Sequence, residues 1–186
     1  SGSCPANQIL STEGTNISST PQIVTDVAGN MSLPSNVITA NIDKTVPTIT
    51  AAATTAPNGN GWYKTDVVVH YTCVETGSGL VSGCPVDVIL TTEGASVSAP
   101  TPTVTDLAGN TSAPSNLVTV KIDKTAPTIS AAPTSLPNAN GWYNSNVTVD
   151  FTCVETGSGL TAPCPVDEIL SAEGTAISSS TPTVTD

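Results

Sequence analysis

"GWYKTDVVVHYTCVETGSGL" at residues 61–80 returns as "GWYNSNVTVDFTCVETGSGL" at 141–160. Within it Val67, Val69, Tyr71 and Cys73 alternate with Val68, His70 and Thr72. In the second copy the first set reads Val147, Val149, Phe151 and Cys153 and keeps its chemistry, whereas the other reads Thr148, Asp150 and Thr152 and drifts towards polar. Successive side chains of a strand point to opposite faces, so the kept set is the buried face and the drifting set the wet one. A half-buried strand of this kind, repeated, decides for an all-β fold.

Outward from this stretch the repetition continues. "TDVAGNMSLPSNVITANIDKTVPTI" at 25–49 returns as "TDLAGNTSAPSNLVTVKIDKTAPTI" at 105–129. Trp62 and Trp142, Asp26 and Asp106, and Cys4 and Cys84 are each 80 residues apart, with no gap needed. Self-similarity at a fixed period marks a tandem array. The Pro-containing joint "IDKTVPTI"/"IDKTAPTI" is the expected boundary. It divides the chain into 1–43, the back part of one repeat, 44–123, a complete repeat, and 124–186, the front part of the next. Within the complete repeat, strands are predicted at 47–53, 67–73, 86–91, 95–106 (interrupted by Pro100 and Pro102) and 116–123. The turns between them are "PNGNGWY", "GSGLVSG", "TEG" and "DLAGN". Short strands at this spacing predict tandem immunoglobulin-like β-sandwiches of about 80 residues each.

The bulk composition bounds the partners. Fifteen Asp and Glu stand against four Lys and no Arg, a net charge of −11. Nucleic-acid binding needs Lys and Arg to displace phosphate counterions, so that class is excluded, and docking on anionic lipid with it. Small cations are the natural partners. No apolar run reaches the roughly 20 residues of a membrane span.

"TDLAGNTS", "VKIDKTAPTI", "NGWY…VTVDFTC" and "GSGL…CP" resemble the tandem bacterial immunoglobulin-like (Big-type) repeat domains of large surface proteins, adhesins and fibres. The resemblance covers the whole chain. It implies an extracellular stalk of repeated sandwiches, secreted or on a bacterial cell surface, stiffened in some members by calcium at the joints.

Five cysteines are present. Cys73 and Cys84, like Cys153 and Cys164, are 11 apart and flank the "GSGL" loop, so the pairs 73–84 and 153–164 are expected as disulfides, which place the chain in an oxidising compartment. A zinc site is disfavoured, because the spacing is not C-x-x-C and no histidine recurs with it. Cys4 matches Cys84 and Cys164, and its partner is expected outside the chain.

Following strand direction through one repeat brings Asp43, Glu75 and Asp106 to one pole. Asp123, Glu155 and Asp186 repeat the arrangement, and Asp26 belongs to the repeat before. Ca²⁺ takes 6–8 oxygen ligands, and these carboxylates, with Asn110 or backbone carbonyls, form a candidate joint site. The competing reading is turn chemistry: Asp106 caps its own turn, Gly109 turns left-handed, and Asp43 and Asp123 pair with neighbouring lysines. Glu13, Glu93 and Glu173 recur in "EG" turns at the opposite pole and read as solvated turn residues. Trp62-Tyr63 and Trp142-Tyr143 read as closing the bottom of the core or bracing the neighbouring unit, with a sugar platform as the rival. Asn16, Asn30, Asn110 and Asn146 stand in N-x-[ST] sequons, the pattern of N-glycan acceptors.

The only histidine, His70, becomes Asp150 in the next copy, so catalysis is not expected. The expected role is a structural repeat region of a stalk, adhesin or filament whose partners are neighbouring repeats or like subunits. The alternatives are a self-assembling filament subunit with strand exchange, and a carbohydrate-binding module of a secreted enzyme. A surface ligand or glycan partner is left unspecified by the sequence.

Overall fold

The computed structural model describes residues 4–186; the first three residues of the 1–43 segment lie outside it. The chain is all-β, with no helix among the described residues. Eleven strands run in order: β1 (Gly14–Ser18), β2 (Thr39–Ile42), β3 (Thr48–Ala53), β4 (Trp62–Tyr63), β5 (Val67–Val74), β6 (Val88–Leu90), β7 (Gly94–Ser98), β8 (Thr119–Ile122), β9 (Thr128–Pro133), β10 (Val147–Val154) and β11 (Glu168–Leu170). They form four small sheets, ordered β1-β2, β3-β5-β6, β4-β8-β7 and β9-β10-β11. Small sheets of this kind are consistent with β-sandwich architecture.

The alternation read from Val67–Cys73 is realised in β5. Val67 and Val69 are fully buried and Tyr71 nearly so, while His70 and Thr72 face solvent. The exposed His70 places Nδ1 2.7 Å from Asp87 Oδ1. β10 repeats the pattern with Val149 and Phe151 buried. Tyr71 also donates its hydroxyl to Pro100 O at 2.7 Å, a bond that Phe151 cannot make.

Two expectations need correction. The segment 95–106 is not one strand: β7 ends at Ser98. Pro100 and Pro102 have no N–H to give a ladder, and the chain beyond them folds back around the "DLAGN" turn instead. There Ser112 donates its N–H to Val104 O (2.9 Å) and Ser115 donates to Pro102 O (2.9 Å). Conversely Trp62-Tyr63, read as part of a turn, is the strand β4. It pairs in parallel with β8, Trp62 opposite Lys121 and Tyr63 opposite Ile122.

By compactness the chain resolves into two units. The first takes residues up to Ala52 with Val69–Val88 and Pro100–Leu117; the second takes Ala53–Val68, Ile89–Ala99 and Val118–Asp186. In the first, β1 and β2 pair antiparallel with a bulge between Gly14 and Ile17, where Asn16 has φ 57°. The Asn116 side chain covers backbone groups of β3: it donates Nδ2 to Ala51 O and accepts from Ala51 N, both at 2.8 Å. In the second, β8 is the middle strand of its sheet, and its Val120 and Ile122 are buried.

Both expected disulfides are formed, Cys73–Cys84 and Cys153–Cys164, with Cα–Cα distances of 5.6 and 5.8 Å. Cys4 is exposed and unbridged. Two bridges belong to an oxidising, non-cytoplasmic compartment. No helix long and apolar enough to cross a membrane is present among the described residues.

Candidate metal centres

The first unit brings Asp43, Glu75 and Asp106 together. Each offers a carboxylate oxygen, and these lie within 4.8 Å of one another. Asp43 follows β2, Glu75 follows β5, and Asp106 sits in the "DLAGN" turn. The Cys73–Cys84 bridge closes the loop that carries Glu75, Gly77 and Ser78. A short ladder then sets that loop against the turn: Leu107 donates its N–H to Gly79 O (2.8 Å) and Val81 to Thr105 O (2.9 Å), with Leu80 and Asp106 in an isolated bridge.

The second unit builds the same group from Asp123, Glu155 and Asp186, again within 4.8 Å. Thr161 donates to Thr185 O at 2.9 Å, the counterpart of the Val81–Thr105 bond. All six positions are 80 residues from their equivalents.

The joint aspartates are held by backbone. Asp43 Oδ2 accepts from Ser78 N (2.7 Å) and Oδ1 from Thr45 N (3.1 Å). Asp123 accepts from Ser158 N (2.6 Å) and Thr125 N (3.1 Å) in the same way. Hydrogen bonds from Ser78, first its hydroxyl and then its N–H, hold the Asp43 carboxyl below the usual range; the Ser158 N–H does the same for Asp123. The approach leaves no room for a side chain on the loop, since a Cβ at Gly77 would stand 2.5 Å from Asp43 Oδ2, and one at Gly157 would stand closer still to Asp123 Oδ2.

Asp106 is buried and clamped by its own turn. Asn110 donates its N–H to Oδ1 and its Nδ2 to Oδ2, both at 2.8 Å, and Gly109 takes φ 95°. The turn chemistry expected from "DLAGN" is therefore present, and the same residue also belongs to the acidic group. Asn110 Nδ2 reaches Asp43 O as well, at 3.2 Å, so the amide nitrogen of this sequon is committed to the site. Asp26 has the identical clamp from Asn30 (2.8 and 2.7 Å), which holds its carboxyl below the usual range, but it is exposed and stands outside both groups.

Glu75 differs from its companions. Both its carboxylate oxygens are buried with no hydrogen-bond partner, as is Glu155 Oε2; Glu155 Oε1 accepts from Gly157 N at 2.6 Å. A carboxylate without donors beside two others is unfavourable unless something positive completes it. The donor set is all oxygen, without histidine or thiolate, and so suits a hard cation such as Ca²⁺ or Mg²⁺ rather than zinc or copper.

The lysine pairings expected for Asp43 and Asp123 are not made. Lys124 Nζ goes to Asp66 Oδ1 (2.9 Å) and Thr91 O (2.7 Å), and Lys121 Nζ stands 5.7 Å from the Trp62 ring centroid. Trp62 is half-buried under that ammonium, and Tyr63 is buried with its hydroxyl donating to Thr55 O at 2.9 Å. Trp142 and Tyr143 are more exposed.

Three kinds of residue at these centres escaped the sequence reading. Gly77 and Ser78, with Gly157 and Ser158, were legible only as the verbatim copy "TCVETGSGL". Glu13 and Glu93 are exposed, as expected of solvated turn residues, yet they are engaged. Lys124 donates its N–H to Glu93 Oε1 (2.6 Å) and Thr125 its hydroxyl to the same carboxylate (3.2 and 3.3 Å). Lys44 and Thr45 make the same bonds to Glu13 (2.6 and 3.3 Å). The signal available was the constant separation of 31 residues between glutamate and lysine. Among known proteins no family model matches the chain, and no curated protein or solved structure matches it either.

Proposed function

We propose that this chain is part of an extracellular stalk or filament, built of tandem immunoglobulin-like sandwiches and working as a disulfide-pinned spacer without catalysis of its own. In this reading the two Asp–Glu–Asp groups each hold a Ca²⁺ ion that stiffens the joint. The carrying observation is the pair of groups itself: the same three carboxylates recur 80 residues on, with both buried oxygens of Glu75 and Oε2 of Glu155 left without a donor. Asp43, Glu75 and Asp106 would hold one ion, and Asp123, Glu155 and Asp186 the other. The ion would supply positive charge where three carboxylates meet, tying the "IDKT" joint to the loop behind the disulfide and, at Asp106, to the "DLAGN" turn. The resemblance to bacterial surface repeats, the two bridges and the strongly acidic composition support the same reading.

Calorimetric titration of Ca²⁺ into chelator-treated protein tests it. Two binding events are expected, with a melting temperature that rises with free Ca²⁺ as binding to the folded state requires. Glu75→Gln should remove or weaken one event and leave the other. Equal melting temperatures in calcium and in chelator, with no heat of binding, would sink the proposal.

A further inference from the structure

We infer that Glu13 and Glu93 are positioning residues for the two cation sites, a role that rests on the reading just given. Neither touches the acidic groups as a ligand. Each instead grips the residues that directly follow the joint aspartate. Glu93 accepts the N–H of Lys124 at 2.6 Å and the hydroxyl of Thr125 at 3.2 Å, and Asp123 is the residue before them. Glu13 grips Lys44 and Thr45 in the same way, and Asp43 precedes them.

The lysine closes the clamp from the other side. Lys124 Nζ donates to Thr91 O at 2.7 Å, two residues before Glu93, and Lys44 Nζ donates to Ser11 O, two residues before Glu13. The "EG" turn thus holds the Asp-Lys-Thr backbone at two points. From the opposite direction the aspartate carboxylate is held by Ser158 N or Ser78 N. A joint aspartate fixed on both sides keeps its orientation towards the glutamate and the turn aspartate, which cuts the ordering needed when a cation arrives.

The role predicts a specific difference between two variants. Glu93→Gln keeps an oxygen that accepts the Lys124 N–H, whereas Glu93→Ala removes the clamp. Ca²⁺ is titrated into the chelator-treated chain while the amide resonances of Ser78 and Ser158 report the two sites separately. Loss of an outer partner of a metal ligand weakens binding about 10- to 100-fold, so Glu93→Ala should weaken the Ser158 site by at least about tenfold. The Ser78 site should stay unchanged, and Glu93→Gln should bind close to the parent. Glu13→Ala should show the mirror pattern, and Thr125→Val, which removes only the hydroxyl contact, serves should Glu93→Ala not fold. If Glu93→Gln weakens binding as much as Glu93→Ala, charge alone acts and the inference fails. Unchanged binding in Glu93→Ala overturns the inference while the cation reading stands. No binding by the parent chain overturns both.

Discussion

Trp62-Tyr63 and Trp142-Tyr143 are the same dipeptide in the same local sequence, yet they end differently. Tyr63 is 9% exposed and part of a strand; Tyr143 is 36% exposed, Trp142 is 54% exposed, and neither is in a strand. The difference spreads through their surroundings. Val67 is fully buried and its counterpart Val147 half-buried; Ala51 is buried and Ala131 exposed. What separates the two regions is β8. Thr119–Ile122 lies between β4 and β7, with Val120 and Ile122 buried, whereas no strand pairs with Trp142-Tyr143 among the described residues. Residues 174–178, the counterpart of β7, are likewise not a strand. The Trp-Tyr strand is therefore made by a partner about 60 residues away in sequence, not by its own propensity, and the core around it closes only when that partner is in place.

The largest effect should come from attacking that partner. Ile122→Ala removes a fully buried side chain and should cost about 2–5 kcal/mol. Its counterpart Ile42 in β2, a strand that among the described residues pairs only with β1, is half-buried, and Ile42→Ala should cost clearly less. Urea unfolding followed through tryptophan fluorescence measures the first, and amide exchange in β1 and β2 the second. Equal losses at the two sites would break the comparison, because the burial difference would then have no energetic content.

The disulfides should behave in the opposite way. Both close loops with a sequence separation of 11. In the loop-entropy account each bridge stabilises by about 2–3 kcal/mol through the unfolded chain, whatever its native surroundings. Replacing Cys73 and Cys84 together by Ser, or Cys153 and Cys164 together by Ser, should cost similar amounts despite the unequal burial nearby. A loss that followed burial would place the stabilisation in native packing instead.

The same contrast explains what was legible in the sequence. The alternation of Val67, Val69, Tyr71 and Cys73 is a local signal of period two, and β5 follows from it directly. The meeting of Asp43, Glu75 and Asp106 was also within reach, because strand direction alone carries the three to one end. β4 was not, since its pairing with Lys121 and Ile122 leaves no local trace in "NGWY". The grip of Glu93 on Lys124 is hidden for the same reason: one side chain reaching a backbone N–H 31 residues away creates no pattern within either segment. Gly77 was visible as a conserved letter of the repeat but not as the close approach to Asp43 that excludes a Cβ. Local periodicity is written in adjacent residues, while long-range closure is written only in the spacing between copies.

The smallest effect concerns protons, and it separates the clustered aspartates from the lone one. Asp43, Asp123 and Asp26 are all held below the usual aspartate value of 3.8 by hydrogen bonds to the charged form, from Ser78, Ser158 and Asn30 respectively. With the folded value below the unfolded one, each carboxylate favours the folded state fully above about pH 4. That contribution is lost as pH falls from there through the depressed folded value. In chelator, side-chain carboxyl resonances of all three should therefore titrate below 3.8. Added Ca²⁺ should push Asp43 and Asp123 lower still, because a cation beside a carboxylate favours its charged form, and should leave Asp26, which stands outside both groups, where it was. A uniform response of all three would reduce the acidic groups to ordinary turn chemistry. A response confined to Asp43 and Asp123 would assign the difference to the carboxylates beside them, since among the described residues Asp26 stands outside both acidic groups.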